Sequence, residues 1–354
     1  MPSTKFWLAL AAGIAYGGLV QVYFTTTLET FGHELHALCH PDAATALFGW
    51  APLDSIICYY VQVFKYALQD PLGSDVTYVL LGFFGTILAF WLMEGARRDA
   101  NRALTFAPLF SLLANAVGIS VIFPAVWMPV YYYSNNSGKD TYIRPAKANG
   151  VLFAMLAGYV IPTVYMCIGL EPKTRTEELV IALWQFAPLL FTPLLTLATS
   201  SLKCLEDPDD PRMTEDARLR IRVGDSRSAV ERAYVFLGVL NVIVYYATYV
   251  RAKVQDLLSI EAFVELAMAA SSERSIGNTG EFFRQTMASH IMLVDLAAFF
   301  IYCVFFALLE DGIKGAILLL LGSAAVGPGA AFAFYAVYRE GRIQDLKRID
   351  KKKN

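Results

Sequence analysis

The sequence predicts an all-α, polytopic integral membrane protein: a helical bundle of about eight transmembrane helices, with a further re-entrant or interfacial helix near 46–69. Three observations predict it. Hydrophobic residues make up 56% of the chain and charged residues 17%, with a mean hydropathy of +0.47, against about 45–50% and about 25% in globular proteins. The apolar residues gather in runs of the roughly 20 residues that a helix needs to cross hydrocarbon. Arginines and lysines follow alternate runs.

The first span, Phe6 to Phe24, is preceded only by Lys5 and followed by Thr25-Thr26-Thr27-Leu28-Glu29 rather than a small-residue cleavage site. It reads as a retained helix and not as a signal peptide. Further spans are expected over 76–95, 105–130, 148–170, 178–200, 229–250, 289–310 and 314–337. The region 46–69 is apolar enough to enter a membrane but holds Pro52, Asp54, Gln62 and Lys65. A ninth crossing there would spoil the charge alternation, which favours a segment lying in or dipping into the interface. No repeat or flexible linker divides the chain, so residues 1–338 form one transmembrane domain and 339–354 a basic cytosolic tail.

Basic residues set the orientation. Arg97, Arg98 and Arg102 follow the second span, Lys173 and Arg175 the fourth, Arg251 and Lys253 the sixth, and Arg339, Arg342 and Lys347 the eighth. With eight crossings these fall on one side and both termini are cytosolic. The 202–227 loop, with Lys203, Arg212, Arg218, Arg220 and Arg222, then falls on the wrong side. The sequon Asn135-Asn136-Ser137 is expected in the lumen, with Asn135 glycosylated. The terminal Lys351-Lys352-Lys353-Asn354 fits a two-lysine signal for return to the endoplasmic reticulum. A net charge of −2 argues against a nucleic-acid partner. The five cysteines lack CxxC spacing, so neither a zinc ribbon nor a disulfide framework is expected. Cys58, Cys167 and Cys303 read as small core residues.

Acids at membrane depth are the candidates for chemistry, because an ionisable group there is costly unless it has a task. Glu94 ends the second span, with Phe83, Phe90 and Trp91 on or beside its face. Hydrocarbon and rings are expected to keep it protonated; pairing with Arg97 or Arg98 would do the opposite. Asp295 lies six residues inside its span, with Phe299 and Tyr302 following at i+4 and i+7. Asp54, after Pro52, is a third candidate acid, though capping a helix start would also explain it. In the third span Asn115, Phe123 and Trp127 share one face, and Pro124 is expected to kink the helix. With Trp91 and Tyr302 they make the wall of a substrate pocket suited to a carbocation, since ring faces attract cations. Ordinary packing is the rival reading for these rings. Glu29, His33, His36 and His40 share a helix face that a metal would fit, yet the spacing is not HExxH and four histidines are too few for a two-iron oxygenase. A polar mouth over the cavity is preferred there, and no metal is assigned. Glu206-Asp207-Pro208-Asp209-Asp210 resembles a magnesium-binding acidic motif, but its prolines and spacing make it a solvated loop.

Three runs carry a family likeness: Trp91-Leu92-Met93-Glu94-Gly95-Ala96-Arg97-Arg98, Leu109-Phe110-Ser111-Leu112-Leu113-Ala114-Asn115 and Phe123-Pro124-Ala125-Val126-Trp127. They resemble the fungal membrane-bound terpene cyclases of meroterpenoid pathways, of the ascofuranone and macrophorin type. The resemblance implies a prenylated aromatic substrate, a farnesylated phenol or quinol. A carboxylic acid protonates its epoxide or olefin, and the polyene closes through a cation with no redox cofactor or metal. Which of Glu94, Asp54 and Asp295 gives the proton stays open. The alternative is a proton- or cation-coupled small-solute carrier, for which Gly327-Pro328-Gly329 supplies one broken helix without a matching partner. A non-catalytic membrane subunit is a third possibility.

Overall fold

The computed structural model describes residues 3–39, 49–134, 142–168, 175–202, 214–271 and 280–344. Asn135, His40, Glu206–Asp210 and the lysine tail lie outside them. The described residues fold into helices α1 (Thr4–Cys39), α2 (Ala51–Gln69), α3 (Pro71–Ala96), α4 (Ala107–Val117) and α5 (Ile119–Ile122). A π-helical turn (Phe123–Trp127) joins α5 to α6 (Met128–Ser134), and another (Leu156–Val160) joins α7 (Pro145–Met155) to α8 (Ile161–Ile168). There follow α9 (Arg175–Trp184), α10 (Phe191–Leu202), α11 (Glu215–Val254), α12 (Ile260–Ala267), α13 (Glu281–Val326) and α14 (Pro328–Ile343).

Local chemistry sets the boundaries. Asp70 caps α3 by accepting from the Gly73 amide at 2.7 Å, with Pro71 as the first helical residue. Pro124 cannot donate to the helix ladder, and the π turn absorbs that defect inside a continuous rod. Gly118 (φ 103°) and Gly327 (φ 83°) stop α4 and α13 in conformations that a Cβ would strain.

Among the described residues, five stretches are long and apolar enough to cross a bilayer: Thr4–Glu29, Pro71–Ala96, Pro145–Cys167, Arg220–Val254 and Glu281–Val326. Arg175–Trp184 with Ala187–Leu202, bent by 52°, makes a sixth. The expected all-helical bundle is found, while the count of eight is not reproduced among the described residues. One end of the bundle holds both described termini. There Phe6 meets Tyr133 with ring centroids 5.5 Å apart, and Ser226 Oγ contacts both the Ile143 amide (3.2 Å) and Gln344 Nε2 (3.3 Å). At the opposite end Arg284 meets Glu34 (3.1 Å) and Tyr66 (2.8 Å), Arg251 meets Asp75, and Ser289 meets Asp70 (2.8 Å).

The expected span 105–130 enters and leaves by the terminal end. Leu104 packs against Gly95, and Tyr131 contacts Arg339 at that same end. Between them Gly118 turns the chain beside Asp295 and Phe24, deep in the bundle. The expected span 314–337 is likewise a pair. Gly312 (φ 67°, ψ −160°) breaks α13, whose last part runs back to Gly327, and α14 returns alongside, with Lys314 over the Tyr338 ring and Gly322 against Ala331.

Counting both pairs as re-entrant moves several loops. Ser134 and Tyr142, which flank the sequon, lie at the terminal end, since the Arg98 amide bonds the Tyr142 carbonyl at 2.9 Å. The described residues on either side of the sequon thus lie at the end that holds both described termini. Arg218, Arg220 and Arg222 precede Ser226 and join the terminal end, while Arg175, Arg251 and Lys253 move to the opposite one. α2 connects the close of α1 to the start of α3 at the opposite end. A Cys39–Cys58 disulfide (Cα–Cα 5.7 Å) ties it there, which overturns the reading of Cys58 as a packing residue. The pairing depends on tertiary proximity that a 19-residue spacing does not announce.

The topology is testable in sealed microsomes, with the free cysteines replaced and a membrane-impermeant maleimide added. Arg102→Cys and Tyr133→Cys should be labelled from the same side as a C-terminal tag, and Gln255→Cys from the other side. An eight-span bundle instead places Tyr133→Cys opposite Arg102→Cys.

Candidate active site

α3, α13 and the α5–α6 rod meet along a column of aromatic rings. Phe123, Trp127 and Tyr131 recur every fourth residue on one face, and their rings lie nearly parallel. Phe123 and Trp127 are 5.5 Å apart at 9°, Trp127 and Tyr131 5.0 Å at 15°. Trp91 from α3 stacks beside them, 6.4 Å from Phe123 and 5.8 Å from Trp127. Phe306 and Phe299 of α13 present edges to this column. All six rings are fully buried. The indole N–H groups of Trp91 and Trp127 and the Tyr302 hydroxyl are buried with no hydrogen-bond partner among the described residues. Such donors cost about 1–3 kcal/mol each when left unpaired.

The terminal end of the column is ionic. Glu94 accepts from Arg97 through both nitrogens of its fork (2.8 and 2.9 Å) and from Arg339 Nη1 at 2.9 Å. Arg97 continues to Glu340 (2.7 Å) and Arg339 to Glu310 (3.1 Å). Arg339 also donates to the Tyr131 hydroxyl and lies over the Phe90 ring at 5.3 Å. Glu94, Arg97, Arg339 and Glu340 are all buried. The expectation of a neutral Glu94 is thus corrected: two guanidinium groups, which do not deprotonate in proteins, hold it as a carboxylate. Arg97 is visible three residues on in the sequence, whereas Arg339 is 245 residues away in the chain.

The deep end differs. Asp295 Oδ1 accepts from the Ser120 amide at 3.2 Å and from the Ser120 hydroxyl. Its hydrogen-bond partners are therefore neutral. Asp295, Phe299 and Tyr302 share a face of α13 that packs on Phe123, with centroids 5.6 Å (Phe299) and 6.3 Å (Tyr302) away. Tyr302 also leans on Tyr16 at 5.1 Å. An ionised carboxylate with only neutral donors in hydrocarbon is expensive, so this acid is suited to carry and give up a proton.

The remaining candidates are scattered. Asn115 does not share the Phe123–Trp127 face, because Gly118 breaks the helix between them. It turns instead to the Gln185 carbonyl at 2.9 Å. Asp54 is buried in the first turn of α2, four residues from the disulfide. His36 is exposed on the last turn of α1. The His33 side chain and all of His40 lie outside the described residues, and among the described residues no three His, Cys, Asp or Glu side chains are placed to hold a metal. Tyr131 was visible in the sequence as the next step of the Phe123–Trp127 spacing. Ser120, Gln185 and Glu310 carried no such signal.

The sequence profile of the CtvD domain family matches residues 28–270. Terpene cyclase ascI of Acremonium egyptiacum is 28% identical over 130 residues, covering 33% of this chain and 32% of that one, so the chain spans about a third of this curated relative. No solved structure matches. The profile match covers α2 through α12, including the broken helix at Gly118 and the aromatic column up to Tyr131, and on that breadth the chain belongs to the CtvD domain family.

Proposed function

We propose that the protein is a membrane-bound terpene cyclase that protonates an epoxide or olefin of a farnesylated phenol or quinol and closes it through a carbocation, in secondary-metabolite biosynthesis. The observation that carries this reading is a column of stacked rings with a neutrally partnered acid, Asp295, at its deep end. Family membership and the similarity to a terpene cyclase support it.

In this mechanism Oδ1 of Asp295 stays occupied by Ser120, and the proton leaves from Oδ2. It goes to the epoxide oxygen as the carbon–oxygen bond breaks. The neighbouring alkene closes on the carbon so exposed, and positive charge passes to a ring carbon. Faces of Phe123, Trp127 and Trp91 stabilise that charge by about 0.5–2 kcal/mol each. Loss of a proton, or capture by an internal hydroxyl, ends the sequence and returns an isomer of equal mass. Burial of the column excludes water that would trap the cation early.

We place the enzyme in the endoplasmic reticulum membrane with both termini cytosolic. Arg98, Arg102, Arg218, Arg220, Arg222 and Arg342 cluster at the terminal end, as cytosolic surfaces do. The Cys39–Cys58 disulfide at the opposite end suits an oxidising lumen. The carrier alternative gains a second broken helix, at Gly118, to match Gly327. Both pairs enter from the same end, however, whereas inverted repeats enter from opposite ends, and the family similarity favours the enzyme.

Microsomes fed a farnesyl-phenol epoxide should yield an equal-mass product. Asp295→Asn should lower the rate at least about 100-fold, the usual contribution of a general acid, while the protein accumulates normally. Turnover undiminished in that variant would remove Asp295 as the donor. Glu94→Gln should behave differently. It leaves Arg97 and Arg339 short of a buried counter-charge, which costs about 3–5 kcal/mol, so thermal unfolding in detergent should shift down by several degrees and yield should fall along with turnover.

A further inference from the structure

Two helices break side by side at membrane depth. α4 stops at Gly118, and the α9–α10 span bends at Gln185–Phe186, ten residues in from Arg175, about 15 Å along the axis. The Asn115 side chain bonds the Gln185 carbonyl across the gap, and the Tyr60 hydroxyl donates to the Ala116 carbonyl. Backbone carbonyls freed by the breaks are thus answered from within the protein. The Gln185 side chain is not. It is 6% exposed, and neither Oε1 nor Nε2 has a hydrogen-bond partner.

An orphaned carboxamide at this depth needs an explanation, because a buried polar group left unmet is costly and non-helical backbone in a bilayer is tolerated where it lines a cavity or is buried in protein. We infer that Gln185 is the anchor for the polar head of the guest: it takes a hydroxyl on the prenylated ring, which donates to Oε1 or accepts from Nε2. Asn115 positions it by fixing the Gln185 backbone. The anchor lies across from one arm of the Gly118 break, and Ser120, which holds Asp295, begins the other. A guest held by its head at Gln185 therefore has its polyene folded back towards the acid, the shape that ring closure needs. This assignment rests on the cyclase reading for its choice of guest, but its test requires no turnover.

The probes are a pentadecylphenol and the matching pentadecylbenzene, neither with an alkene or epoxide in its chain, measured by displacement of a radiolabelled alkylphenol from the purified full chain in nanodiscs. Wild type should prefer the phenol about tenfold, the worth of one hydrogen bond of roughly 1.4 kcal/mol. Gln185→Leu should bind both equally, with its alkylbenzene affinity unchanged, which also shows that the variant is folded. Gln185→Asn, which keeps the carboxamide, should recover part of the preference. A preference that survives in Gln185→Leu, or is absent from wild type, overturns the anchor alone. Binding of neither probe by wild type overturns the anchor together with the prenylated aromatic guest.

Discussion

Two guanidinium groups sealed among three carboxylates hold the terminal end of the bundle together. Glu94 belongs to α3, Arg339 and Glu340 to α14, Glu310 to α13, and Arg97 caps α3; Tyr131 brings in α6 through Arg339. The forked geometry of arginine lets each cation serve two carboxylates at once. Breaking up such a network is far costlier than its net gain would imply, because each partner removed strands a buried charge. Both re-entrant pairs end on this lattice, α6 at Tyr131 and α14 at Arg339. Their tips are held in turn by side chains of neighbouring helices, Tyr60 at Ala116 and Tyr246 at Ala325.

The tips are where regular structure gives way and where the proposed site gathers. Gly118 reverses the chain with a φ that only glycine adopts without strain. That reversal delivers Ser120 to Asp295 on one side and Asn115 to Gln185 on the other. In water such a break would be satisfied by solvent and would position nothing. In hydrocarbon each freed group must find a protein or guest partner, so the break itself organises the site.

Much of the helical content was legible in the sequence, because apolar runs of sufficient length have few other uses. The crossing count was not. Hydropathy measures how greasy a segment is, not whether it leaves by the face it entered, and the run 105–130 looks continuous until Gly118 is given its backbone angle. A clue was present in Arg218, Arg220 and Arg222, which fall on the wrong side of an eight-span bundle and in the structure precede Ser226 at the end of the described termini. Phe123, Trp127 and Trp91 were found because helical spacing and aromatic content are both local. Glu94 was misjudged because its deciding partner, Arg339, is remote in the chain. The Cys39–Cys58 bond and the open amide of Gln185 likewise depend on neighbours that only folding supplies.

The ion pairing at Glu94 also serves the reaction proposed at the other end. Arg339 touches Tyr131, eight residues and about 12 Å along the column from Phe123. An unpaired guanidinium at that distance would raise the energy of a carbocation beside Phe123 by about 1.4 kcal/mol at an effective dielectric near 20, roughly a tenfold slower closure. Glu94 and Glu310 neutralise it where it stands. One end of the column is thereby built from compensated charge that holds the helices. The other keeps its single acid among neutral donors, and the rings between them meet a cation with little opposing field.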